Sequence, residues 1–248
     1  HVMLMGWSDN DLDSPNVEKE REFIERFLEH RVDGLILRPP DDNLPASFLE
    51  EARAQEIPFI LVDRQIRDVA CDFVGSDNAG AAELVARELM SRGHRHVAQL
   101  AGSLSISTFR ERCVGFERAV SGEGRVCQTL ICPSLKEIPE KIRKIFSAET
   151  SRPSAILCAN DEYAVQVLKC VVALGLKVPE DLSIVGFGNM EVSAWTSPPL
   201  ASVDQKPYEI GRQAAELFFS RLDGAAGVEP QVRRLPVSFV SRPSLAAI

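Results

Sequence analysis

The chain has 248 residues, room for one large α/β domain or two connected ones, and its 45% hydrophobic and 26% charged content is that of an ordinary globular protein with a substantial core. A formal net charge of −8 argues against this chain gripping a phosphate backbone by itself. No apolar run approaches the ~20 residues of a membrane-spanning helix, and His1-Val2-Met3 lacks the basic and apolar regions of a signal peptide.

Taken in chain order, short apolar runs rich in β-branched residues alternate with amphipathic stretches. "VMLMG" (2–6) reads as a strand, and "VEKEREFIERFLEH" places Phe23, Ile24, Phe27 and Leu28 at helical spacing. "GLILR" (34–38) and "PFILV" (58–62) read as strands. In "AGAAELVARELMSRG", Leu84, Val85 and Leu89 predict a helix capped by Asp77 or Ser76 and closed by Gly93. "HVAQLA" (96–101) is the next strand, and Ile138, Ile142, Ile145 and Phe146 mark another helix. "SAILC" (154–158) then leads into a helix at "DEYAVQVLKCVVALG", and "SIVGF" (183–187) is followed by a short strand, "ASVDQ". Continuous apolar runs suit parallel strands covered on both faces, and strand–helix alternation predicts right-handed crossovers in an α/β, doubly wound parallel arrangement. About ten strands exceed what one compact sheet holds comfortably, so two sheets are expected.

Six cysteines, Cys71, Cys113, Cys127, Cys132, Cys158 and Cys170, lack CxxC spacing and sit mostly in apolar runs. They read as small core residues in a reducing compartment. His94 and His96 flank Arg95 with no cysteine pair nearby, so no metal site is expected.

In doubly wound sheets, ligands bind beyond the carboxyl ends of strands. The strand tips here read Arg38-Pro39-Pro40, Asp63-Arg64, Ser103, Asn160-Asp161 and Gly188-Asn189. No GxSxG, HExxH or phosphate-loop motif is present, and the histidines lie away from the tips, so no enzyme is expected. "GFGNME" resembles a dinucleotide turn only superficially. Glu191 takes the third glycine position, and Pro198 and Pro199 exclude a helix in "WTSPPL" that would face a pyrophosphate. Asp63, Asn160, Asp161, Asn189 and Gln205, with Arg38, Arg64, Arg110 and Arg112, supply donors and acceptors without a nucleophile. That set suits hydroxyl-rich ligands, because a sugar hydroxyl accepts from Arg or Asn and donates to a carboxylate. The plain alternatives are that Asp161 is an ordinary N-cap and that Arg112 is solvated.

The segments "RVDGLIL", "IPFILVDR", "SDNAGAAELVARELMSRGHRHVAQLAG", "RERCVGF", "PSAILCANDEYAVQVLKCV", "VPEDLSIVGFGN" and "SPPLASVDQKPYEIGRQAAELFFSRLDG" resemble, in this order, the effector-binding core of LacI/GalR-family transcriptional regulators. The resemblance implies a fold like type I periplasmic sugar-binding proteins: two α/β lobes joined by three crossing strands, with the ligand between them. It places residues 1–75 plus 205–236 in one lobe and 76–204 plus 237–248 in the other. It implies effector contacts from Asp63, Arg112, Asn160 and Gln205. Arg38, Arg64, Asp161, Gly188 and Asn189 join them as tip residues, and Arg110 as a further donor. Two positions depart from the family. Gly188-Asn189 stands where a carboxylate usually follows "VGF", and Arg38 stands where a small or amide residue is common. A lost acid and a gained cation imply an anionic sugar derivative, such as a sugar phosphate or sugar acid.

The expected function is therefore effector sensing and dimerisation for a cytoplasmic regulator, without cofactor, metal or membrane partner. Candidate dimer helices start at Asn78 and Asp161. Operator DNA would be read by an N-terminal helix-turn-helix that is not recognisable in this sequence. The resemblance also implies a first strand and helix of the core ahead of the segment at His1, so the chain reads as a fragment of a longer regulator with that unit upstream, or as one whose first lobe is rearranged. The alternative is a solute-binding protein of a sugar transporter, which shares the fold.

Overall fold

The structure, a computed structural model, describes residues 17–40, 42, 47–122, 124–147, 152–224 and 229–248. In chain order the elements are α1 (Val17–Glu29), β1 (Leu35–Leu37), α2 (Ser47–Ala54), β2 (Phe59–Val62), β3 (Asp72–Ser76), α3 (Asn78–Ser91), β4 (His96–Ala101), α4 (Ser107–Val120) and β5 (Val126–Ile131). A 3-10 turn at Leu135–Glu137 leads into α5 (Ile138–Ser147), β6 (Ala155–Cys158), α6 (Asp161–Ala173), β7 (Ser183–Val185), α7 (Glu191–Trp195), β8 (Ser202–Asp204), α8 (Pro207–Leu222), β9 (Val232–Leu235) and β10 (Ser238–Val240). The strand expected at 2–6 lies outside the described residues.

The chain divides into two compact units. The first takes in the described residues of His1–Ser76, with Ser105–Thr108 and Lys206–Leu235; the second is Asp77–Leu104, Phe109–Gln205 and Pro236–Ile248.

In the first unit four strands pair in the order β1-β2-β3-β9, all parallel. Their apolar runs are continuous because alternate side chains serve opposite faces. Leu35, Leu37, Phe59, Leu61 and Phe73 pack with Ile24, Phe27 and Leu28 of α1 and Leu49 of α2. Ile36, Ile60 and Val74 pack with Ile210, Ala214, Leu217 and Phe218 of α8.

The second unit repeats this plan with the parallel order β5-β4-β6-β7. Val97, Leu157 and Val185 meet Val85 and Leu89 of α3 and Phe116 of α4, while α6 packs on β6, β7 and α5. The Asp77 carboxylate caps α3 by accepting from Gly80 N–H. An antiparallel pair, β8 and β10, completes the unit. All six cysteines are free; burial pushes the thiols of Cys71, Cys127 and Cys132 up to about 11 and that of Cys113 to about 12.

The last eight residues are stitched into the second unit. Ser244 Oγ donates to Ile184 O and accepts from Ala201 N–H, while Ser183 Oγ accepts from Ala246 N–H. His94, fully buried, donates from Nε2 to Ala246 O at 3.2 Å and bonds Ser154 Oγ through Nδ1 at 2.8 Å. A carbonyl only accepts, so Nε2 carries the proton. Burial lowers the His94 pKa, with the Arg92 charge adding to the shift and the Ala246 bond opposing it. The unfolded imidazole takes a proton below about 6.5 and the folded one resists it. This contribution to stability is therefore complete above about pH 6.5 and is lost as pH falls toward the lower, folded value. Melting temperatures of the wild type are expected to drop between pH 7.5 and 5.5, and His94→Gln is expected to flatten that slope. An unchanged slope in the variant would assign the acid sensitivity elsewhere.

Candidate functional site

In the second unit the polar residues converge where β7 ends. The chain leaves β7 through Gly186 and runs Phe187, Gly188, Asn189 and Met190 into α7. Phe187 is fully buried. Over its ring lies the guanidinium of Arg112, 3.6 Å from the centroid. Arg112 is only 7% exposed, so it is not a solvated helix residue. Its Nε donates to Asn78 Oδ1 at 2.9 Å and its Nη1 to Ala159 O at 2.6 Å. The aromatic face and two acceptors offset the cost of burying this cation and fix its plane. Asn78 was not foreseen: it lies 34 residues from Arg112, and "SDN" reads only as a helix start.

Asn160, not Asp161, caps α6, its Oδ1 accepting from Tyr163 N–H at 2.9 Å. Helix α6 starts one residue earlier than an Asp161 cap would require, which frees the Asp161 side chain to turn inward. Its carboxylate is fully buried; Oδ2 accepts from Met190 N–H and Oδ1 from the Ser202 hydroxyl, both at 2.6 Å. Burial pushes its pKa above the ordinary carboxylate value, against these two bonds and the Arg242 charge.

Gly188 has φ +125°, a conformation that excludes an aspartate, so the family's acid is barred there by the backbone. A side chain at that point would start 3.7 Å from Asp161 Oδ2 and 3.8 Å from Gln205 Oε1, so the acceptors lost at 188 are partly replaced from α6 and the end of β8. Asn189 is left-handed at φ +52°, and its Oδ1 accepts from Arg242 Nη2 at 2.6 Å. Arg112, Asn160, Asp161, Gly188, Asn189 and Gln205 thus share one corner of this unit. Arg110 does not join them; its Nη1 donates to Leu104 O at 2.8 Å.

In the first unit Asp63, at the β2 tip with φ +63°, accepts from Arg38 Nε at 2.8 Å. Arg38 is therefore ion-paired rather than a spare cation. Arg64 is buried and turns its Nη1 to the carbonyl of Pro40.

A short helix does follow the glycines: α7 fits its five residues in before Pro198 and Pro199, and the chain from Thr196 through the prolines stays non-helical, as those residues require. The turn is nonetheless closed to phosphate. Gly188 N–H donates to Val203 O, Asn189 N–H to Ser202 Oγ and Met190 N–H to Asp161, so its donors are already used. Among the described residues no group of three or more His, Cys, Asp or Glu side chains stands together to hold a metal ion.

Comparison with known proteins agrees with this architecture. Residues 86–245 match the periplasmic binding protein-like domain family. The HTH-type transcriptional repressor PurR of Aliivibrio fischeri (strain MJ11) is 31% identical over 214 residues, covering 84% of this chain and 63% of PurR. The chain thus spans less than two thirds of that relative's length. Among solved structures, a LacI family transcriptional regulator from Enterococcus faecalis V583 with bound ribose is 26% identical, with a TM-score of 0.81 over 96% of this chain and 85% of that one. The lac repressor dimer bound to operator and the anti-inducer ONPF is also 26% identical, with a TM-score of 0.81 over 94% and 81%. Such relatives are repressors and not enzymes. The chain belongs to the periplasmic binding protein-like domain family, and in sequence and fold it is similar to LacI-family regulators.

Proposed function

We propose that this chain senses a sugar or sugar-derived effector for a transcription regulator, through the polar groups gathered around Phe187. The observation that carries the proposal is Arg112, a buried guanidinium 3.6 Å from the centre of the Phe187 ring and bonded to the carbonyl of Ala159, next in the chain to Asn160 and Asp161. Such a group presents fixed donors to hydroxyl oxygens at little ordering cost. The Enterococcus faecalis regulator of similar fold holds ribose. The expectation of an anionic effector rests on the acid absent at Gly188 and the cation at Arg38; the pairing of Arg38 with Asp63 balances the second of these and supports a neutral sugar.

Pairing of two copies is proposed through α6 and α7, where Val172 is 58% and Trp195 76% exposed. Most apolar residues of α3, the other candidate, are buried, as are Val167, Leu168 and Val171 of α6, so the proposal rests on the exposed Val172 and Trp195. Operator DNA is proposed to be read by a helix-turn-helix outside these residues, as the relatives' names have it, and the whole to work in the cytoplasm. No helix among the described residues is long and apolar enough to cross a membrane.

Calorimetric titration tests the reading, with ribose and ribose 5-phosphate as probes. Ribose is expected to bind, more tightly than its phosphate, and Arg112→Ala to weaken it at least about tenfold, roughly 1.4 kcal/mol. Absence of binding by any sugar in a wider panel, or binding indifferent to Arg112→Ala, would refute it.

A further inference from the structure

We propose that Arg242, carried on the chain's last segment, is a positioning residue that holds the Gly188–Leu200 loop in its effector-binding shape. The effector part of this inference rests on the sugar-sensing reading above; the positioning part does not.

One guanidinium reaches three points spread along the loop. Nη2 donates to Asn189 Oδ1 at 2.6 Å, and Nη1 donates to Leu200 O at 2.8 Å and Ser193 Oγ at 3.2 Å. These contacts lie at the start, middle and end of the loop. The inner side of the same loop is held differently, by Asp161 on Met190 N–H and by Ser202 on Asn189 N–H. The loop is thus clamped between a buried carboxylate on α6 and a guanidinium from the tail.

The clamp matters most at Asn189. A left-handed backbone is uphill for a residue with a side chain and persists only where its surroundings hold it. Arg242 supplies part of that hold by fixing the carboxamide. Asn189 therefore meets an effector, if at all, through its amide nitrogen, and what Arg242 settles is where Gly188 and Asn189 stand relative to Gln205 and Arg112. A planar fork reaches several acceptors at once, whereas a lysine ammonium at the same place serves only part of them.

Amide hydrogen exchange and ribose titration together test the proposal. In Arg242→Ala the amides of Asn189, Met190 and Leu200 are expected to exchange at least ten times faster while those of β4 and β6 keep their wild-type rates, and ribose affinity is expected to fall at least fivefold. Arg242→Lys keeps the charge and most of the stem and is expected to show the same loop loosening in a smaller degree; it also serves if the alanine variant does not fold. Ser183→Ala, which removes the tail's bond to Ala246 N–H away from the loop, is the control: a lower melting temperature with loop exchange and ribose affinity unchanged. Loop amides that speed up no more than those of β4 and β6 would overturn the positioning role, whether or not ribose binds. Loop loosening with unchanged ribose affinity would overturn the link to the effector. A wild type that binds no sugar, with the loop loosened as expected, would refute the sugar reading while leaving the clamp standing.

Discussion

Gly115→Ala is expected to lower the melting temperature by about 6–12 °C, the equivalent of about 3 kcal/mol in a protein of this size. Gly115 lies on α4 where that helix crosses α3. A methyl group there would stand 2.2 Å from Ala79 O and 2.8 Å from Ala79 Cα. Both are backbone atoms in a helix and cannot rotate aside, so the helices must separate. Separation opens the core shared by Ala82, Val85 and Phe116, all fully buried. It also pulls Arg112, one turn before Gly115, away from Asn78, the residue next to Ala79. Ribose binding is therefore expected to weaken together with stability. Differential scanning calorimetry decides: a loss under about 2 °C would mean that α3 and α4 slide apart freely.

Asp161→Asn is expected to cost about 3 kcal/mol, read by urea unfolding as a lower midpoint at unchanged slope. The carboxylate receives two donors in a fully buried position, Met190 N–H and the Ser202 hydroxyl. A carboxamide has one acceptor and turns an NH2 toward one of those donors, leaving it buried and unpaired. That costs about 1–3 kcal/mol, and the loss of the charge facing Arg242 adds to it. Neutralising a desolvated carboxylate pulls the other way, since burial already raises the Asp161 pKa. Wild-type stability in the variant would mean that the carboxyl is protonated in the fold and that the amide simply imitates it.

The strands with continuous apolar runs were legible because both their faces are buried; β4 spans the "HVAQLA" read from the sequence. Strands β5 and β9 were not, because each stands at a sheet edge with its side chains exposed or only partly buried, Leu235 excepted. "VCQTLI" and "VRRL" therefore lack the apolar signature of a covered strand. At the site, residue types could be read but not partners. Arg38 and Asp63 are 25 residues apart and Arg242 and Asn189 are 53, and nothing local announces such pairs. For Asp161 the plain alternative, an ordinary N-cap, is off by one residue: Asn160 takes the cap of α6 and the Asp161 carboxylate turns inward.

The torsion at Gly188 also bears on which substitutions this position accepts. A glycine and an aspartate codon differ by a single nucleotide, so the family's acid looks one mutation away. The backbone torsion at 188 closes that route, because an aspartate arriving there meets a loop conformation made for glycine. An acid at 188 is therefore accommodated only if the loop around it, held by Asn189, Asp161 and Arg242, takes another shape, so backbone shape rather than the genetic code sets the barrier to that substitution.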